Sequence, residues 1–85
     1  MKYEKILIRL AAKPPPSNFK WPELVSVLRY LGFELLTGSG SRRKFHHREK
    51  NILIICHQPH PTPNVDKGCL VDVVNTLTDH GLLPK

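Results

Sequence analysis

Nine side chains that can carry positive charge or move a proton fall within one stretch, Leu35 to Pro61: Arg42, Arg43, Lys44, His46, His47, Arg48, Lys50, His57 and His60. Two kinds of chemistry suit them. The first is phosphate binding. Arg42, Arg43, Lys44, His46, Arg48 and Lys50 crowd one basic hairpin, and cations gathered on one face neutralise phosphates and release counterions. The backbone N–H groups of Gly38-Ser39-Gly40 add donors beside them. The plainer alternative is a solvated strand whose charge protects it from edge-to-edge aggregation.

The second kind is acid–base work. RNA can be cut by its own 2′-hydroxyl, which attacks the adjacent phosphorus. A base takes the hydroxyl proton, an acid protonates the leaving oxygen, and a cation stabilises the charged transition state. Histidine suits the proton roles because its unperturbed pKa is about 6.5, and one well-placed base contributes roughly 10²–10⁴-fold. His57 and His60 follow an apolar segment and sit among Pro59, Pro61 and Pro63, which stiffen the backbone that carries them. His46 is on the basic strand, His47 shares the face of Phe45, and His80 looks like a helix C-terminal residue. The bland alternative for each histidine is a hydrogen-bonded packing or surface group. His57, His60, Cys56 and Cys69 have poor spacing for a zinc set, so neither a metal site nor a cofactor is expected.

The rest of the chain must hold this hairpin. Tyr3, Ile6, Leu7 and Leu10 recur at helical spacing, with Glu4, Lys5 and Arg9 opposite them. The spacing predicts a first helix ending by Lys13, because Pro14-Pro15-Pro16 cannot continue it and reads as an extended connector. Pro22 suits the first turn of a second helix. Leu24, Val25, Leu28 and Leu31 form its stripe, Gly32 its left-handed stop, and Phe19 and Trp21 the core residues at its start.

Phe33–Thr37 reads as a strand, Gly38-Ser39-Gly40 as a turn, and 41–47 as a second strand. Alternation puts Arg43 and Phe45 toward the core and Arg42, Lys44 and His46 toward solvent. Arg43 must then reach an edge or snorkel. After the polar turn Arg48-Glu49-Lys50-Asn51, the run Ile52–Cys56 is nearly all apolar and reads as the best-buried strand. His57 to Asn64 reads as an extended loop. Asp66 or Asn64 caps a last helix with Leu70, Val73, Val74 and Leu77 as its stripe and Gly81 as its stop. The order α-α-β-β-β-α, a three-stranded antiparallel meander with helices on one face, is an α+β fold. The expected organisation is one domain of 85 residues, with 1–16 as N-terminal helix and connector and 17–85 as core.

Composition narrows the partners. The net charge is +6, from 13 Lys and Arg against 7 Asp and Glu, which favours a polyanion, an acidic protein or an anionic surface. No apolar run approaches the roughly 18 residues of a membrane span, and the N-terminus leads into an amphipathic pattern, not a signal segment. Cys56 and Cys69 are too few and too oddly spaced for a disulfide framework, so a reduced, cytoplasmic protein is expected.

Glu23-Leu24-Val25, Leu28, Leu31-Gly32-Phe33-Glu34, Gly40-Ser41, Phe45, Pro59-His60-Pro61 and Asp79-His80-Gly81-Leu82 together give the chain a further character. From about Trp21 to Leu83 it resembles the HicA toxins, the small mRNA interferases of bacterial toxin–antitoxin pairs. The resemblance implies a fold like a double-stranded-RNA-binding domain, ribosome-independent cleavage of mRNA, and neutralisation by an acidic HicB-type antitoxin. It also implies a catalytic histidine directly after the glycine–serine pair, where this sequence has Arg42. Arginine stays protonated and is a poor general base, though it can hold a phosphate in a bidentate manner.

Three readings follow. In the first the chain is an endoribonuclease in which Arg42 and Lys44 grip the phosphate and His60 or His57 moves protons. In the second it binds RNA without cutting it. In the third the basic hairpin docks an acidic protein and meets no RNA.

Overall fold

Proline and glycine set the ends of the helices, and the apolar spacing between them sets what each helix buries. The computed structural model describes residues 2–38 and 40–83. Its elements are α1 (Lys2–Leu10), α2 (Trp21–Tyr30), β1 (Phe33–Thr37), β2 (Arg42–His47), β3 (Ile52–His57) and α3 (Lys67–Asp79). This is the expected α+β order. Ser39, the middle of the expected β1–β2 turn, lies outside the described residues.

The helix α1 stops at Leu10, ahead of the prolines. It buries Ile6, Leu7 and Leu10. Pro22 occupies the first turn of α2, where its missing N–H costs no helical bond. Glu23 joins the two helices. One of its oxygens accepts the Lys20 backbone N–H at 3.2 Å, and the other pairs with the Arg9 guanidinium. Arg9 also lies 5.2 Å from the centre of the Phe19 ring, which is fully buried beneath it. Tyr3 and Tyr30 stack at 4.5 Å across the α1–α2 boundary.

The sheet order is β1-β2-β3, antiparallel throughout. Its covered face carries Phe33, Phe45, His47, Ile52, Ile54 and Cys56. These pack with Leu24, Val27 and Leu28 of α2 and Leu70, Val73 and Leu77 of α3 in one core. Trp21 tilts against Phe45 with ring centres 5.6 Å apart, as a core residue should.

The other face of the sheet has no helix over it. The run Ile52–Cys56 is the best buried of the three strands, as expected, but it is buried through one face only: its residues alternate between buried and exposed. Leu53 and Ile55 are 52% and 45% exposed, and Leu36 of β1 is 42% exposed beside them. All three helices contribute to a single core, so only one side of each strand is dry.

The Asp66 carboxylate caps α3 by accepting the Cys69 N–H at 3.2 Å. Asn64, the other capping candidate, instead accepts from Lys20 Nζ at 2.6 Å. At the far end, the Leu82 N–H reaches the Leu77 carbonyl at 2.8 Å after Gly81 turns the chain with φ 69°. Among the described residues no helix is long and apolar enough to cross a membrane.

Candidate functional site

Strand register decides which of the chemical side chains meet. Arg42 lies directly opposite His57. A paired position shares a face with its partner, so both belong to the open side of the sheet, and Lys44 and His46 follow Arg42 there at two-residue spacing. The cross-strand rows on this face are Arg42–His57, then Leu36–Lys44–Ile55, then Glu34–His46–Leu53. Among the described residues neither Arg42 nor Lys44 has a side-chain hydrogen-bond or ion-pair partner. Two unneutralised cations and an imidazole therefore share one end of the open face.

The sequence placed His57 on a loop; it is the last residue of β3. Pairing with Arg42 extends the ladder one residue beyond the apolar run. Its ring is held as well as its backbone. The Ser41 hydroxyl lies 3.3 Å from His57 Nδ1, and the Gln58 N–H donates to the Ser41 carbonyl at 2.7 Å. A hydroxyl can donate to an unprotonated Nδ1 or accept from a protonated one, so this contact tolerates both states of the ring. It leaves Nε2 as the nitrogen available to a ligand.

His60 lies three residues further along. It lines a pocket of about 280 Å³ together with Ser41, Arg43, Gln58 and Pro59. The segment that carries it is tied down at its far end. The Trp21 N–H donates to the Pro63 carbonyl at 2.7 Å, and the Val65 N–H to the Phe19 carbonyl at 2.8 Å. Prolines restrict this segment, and these backbone bonds anchor it to the start of α2. Ser41 links the two histidines, since it touches His57 and lines the pocket of His60. The sequence marked Ser41 only as part of the glycine–serine pair before Arg42, and gave no sign of its contact with His57.

Arg43 has a different place from its neighbours. It lies on the covered side of β2, and its guanidinium turns to the edge, where Nη1 donates to the Gly40 carbonyl at 2.7 Å and the Arg42 carbonyl at 2.9 Å. It braces the β1–β2 turn and lines the pocket wall. The turn also closes through the Gly38 N–H and the Arg42 carbonyl at 3.0 Å.

Arg48 and Lys50 sit in the β2–β3 turn, at the other end of the hairpin. With a rise of about 3.4 Å per residue, Arg48 is on the order of 20 Å along the strand from Arg42. Arg48 is paired with Glu34 at 2.8 Å. The basic residues that look like one cluster in sequence thus divide: Arg42, Lys44 and His46 on the open face, Arg43 at its edge, Arg48 and Lys50 at the opposite turn.

His47 is structural. It is 6% exposed, its Nδ1 accepts the Lys50 N–H at 3.2 Å, and its ring meets Phe33 edge-on at 5.2 Å. His80 caps α3, with Nδ1 2.9 Å from the Thr76 carbonyl. Among the described residues no group of three or more His, Cys, Asp or Glu side chains is arranged to hold a metal ion.

No curated protein and no solved structure matches the chain. A family model does: the one described as HicA toxin of bacterial toxin–antitoxin matches residues 21–82, from the first residue of α2 to just beyond α3. The match takes in Arg42, Lys44, His57 and His60, and leaves α1 and the proline connector outside it. With most of its length covered in this way, the chain belongs to the HicA toxin family of bacterial toxin–antitoxin systems.

Proposed function

We propose that the chain is an endoribonuclease that cleaves mRNA by attack of the RNA's own 2′-hydroxyl, and that a HicB-type antitoxin neutralises it. The observation that carries the reading is the pairing of Arg42 with His57 across β2 and β3, with Lys44 on the same face. His57 supplies what Arg42 lacks. The arginine stands where the family resemblance implies a histidine, and it is a poor base. The imidazole on the neighbouring strand is a good one and lies directly across from it.

Arg42 and Lys44 hold the scissile phosphate and offset the charge that builds on it. His57 takes the 2′-hydroxyl proton through Nε2, while Ser41 steadies the ring through Nδ1. His60, on the adjoining pocket, delivers a proton to the leaving 5′-oxygen. The products are a 2′,3′-cyclic phosphate and a 5′-hydroxyl. His46, Arg43, Arg48 and Lys50 extend the positive surface along the RNA.

A second reading, RNA binding without cleavage, is favoured by Arg42 itself, because the side chain at that position cannot accept a proton. One assay separates the two. The purified chain is incubated with RNA in the presence of a chelator, and the product ends are identified. Cleavage that falls roughly 10²–10⁴-fold in His57→Ala, with RNA binding retained, is the expected outcome. Salt-sensitive binding with no products supports the second reading. Cleavage undiminished in both His57→Ala and His60→Ala removes these two histidines from the proton roles.

A further inference from the structure

Cys56 and Cys69 are 13 residues apart in sequence, one at the covered side of β3 and the other in the first turn of α3. The fold brings their sulfurs to 2.7 Å, with Cys69 donating to Cys56 or the reverse. Both are free thiols. The separation is larger than the ~2.05 Å of a bonded pair, so closing it asks the two sulfurs to approach by less than about 1 Å. Cys56 is 3% exposed, and Cys69 is half-buried and reachable from solvent.

We propose that Cys56 and Cys69 form a redox modification site: a hydroperoxide oxidises the pair to an intramolecular disulfide that ties β3 to α3. The assignment of roles follows from the surroundings. The hydrogen bond with Cys56 holds the Cys69 thiol below its ordinary pKa, against burial and the charges of Asp66 and Asp72. The same bond, together with burial, pushes Cys56 up. Cys69 is also the more exposed of the two and sits in the first turn of α3, so it is the attacking group.

The chemistry balances. The Cys69 thiolate attacks one peroxide oxygen, the O–O bond breaks, and hydroxide leaves, which gives a sulfenic acid on Cys69. Cys56 then attacks the Cys69 sulfur as its proton departs. The S–S bond forms, the S–O bond breaks, and the second oxygen leaves as water. Two thiols lose two electrons and two protons, and hydrogen peroxide is reduced to two waters. Cys56 is thus the resolving thiol, and its contact with Cys69 protects the sulfenic acid from further oxidation.

The crosslink closes the segment that carries His57 and His60. It shares that segment with the proposed ribonuclease site, but it rests on the thiol geometry alone and holds whatever the basic face binds. Closing a loop of this length raises the melting temperature by on the order of 10 °C.

The test uses the purified chain and hydrogen peroxide as the probe. After brief exposure, intact mass is measured with and without a thiol-alkylating reagent under denaturing conditions. The expected product is a monomer lighter by two hydrogens, in which neither cysteine alkylates. Its proteolytic map contains a Cys56–Cys69 crosslinked peptide, its melting temperature is raised, and dithiothreitol reverses each change. In Cys69→Ser the crosslink is absent. An oxygen adduct on Cys69 with Cys56 still alkylating, a disulfide-linked dimer, or two thiols that alkylate as before would each overturn the proposal. The wild-type mass alone decides, so a poorly folded variant does not blur the result.

Discussion

Replacing Gly32 by alanine should cost the fold about 3 kcal/mol, and the structure gives two separate reasons. The backbone reason is φ: Gly32 follows α2 with φ 106°, a conformation that strains any residue bearing a Cβ. That contribution is roughly 1–3 kcal/mol. The packing reason is His47. A Cβ on Gly32 would lie 2.7 Å from His47 Nε2 and 3.2 Å from its Cδ2. The ring has little room to withdraw, because Phe33 meets it edge-on and the Lys50 N–H holds its Nδ1. Overpacking of this kind costs roughly 1–3 kcal/mol. At about 4–8 °C per kcal/mol for a domain of this size, the melting temperature should fall by roughly 10–25 °C. Gly40→Ala is the control. Its φ is 59°, with nothing within 4 Å of the added Cβ, so it carries backbone strain alone, about 1–2 kcal/mol. Thermal and urea unfolding of Gly32→Ala, His47→Ala and the double variant complete a cycle. A coupling of about 1–3 kcal/mol between the two sites is expected, since removing the ring removes the clash. If Gly32→Ala costs no more than Gly40→Ala, or the cycle shows no coupling, the packing argument is wrong.

Two other perturbations test other parts of the molecule. Lys44→Ala should weaken binding to single-stranded RNA about equally for all sequences and reduce the slope of log affinity against log salt by about 0.7, read from titrations at several salt concentrations; an unchanged slope would place Lys44 off the RNA path. At Glu23, burial opposes ionisation, but the bonds from Arg9 and Lys20 and their charges outweigh it and hold the carboxyl below its ordinary value. A depressed folded-state pKa stabilises the protein above the unfolded value and loses that contribution as pH falls through the folded one. Urea unfolding of wild type and Glu23→Gln should therefore differ by up to about 1 kcal/mol at neutral pH, and the gap should close in acid below about pH 4; a gap that widens in acid would reverse the assignment.

The helices and the sheet order were legible in the chain because their signals are local. The spacing of Leu24, Val25, Leu28 and Leu31, the prolines and Gly32 mark α2 without reference to anything distant. The bounds of β1 and the facing of Arg42, Lys44 and Phe45 follow from period-two alternation in the same way. What was not legible depends on contacts across the fold. An apolar run such as Ile52–Cys56 reads the same for one covered face or two, and only the placement of helices decides. Whether His57 pairs or hangs free depends on how far the β2–β3 ladder runs. The bracing role of Arg43 needed its carbonyl partners, and the meeting of Cys56 with Cys69 needed the return of α3 to β3. Neither cysteine carries a local sign of the other.

The helix α1 is outside the family match, yet Ile6, Leu7 and Leu10 belong to the same dry interior as Leu28 and Leu70. An appended segment that merely trails from a domain can be cut away freely; this one is a wall of the room it adjoins. Trimming the chain to its matched region would take Phe19 out of that interior, uncover Leu70 and leave Glu23 without the Arg9 guanidinium, so the matched elements here lean on a helix that the match does not include.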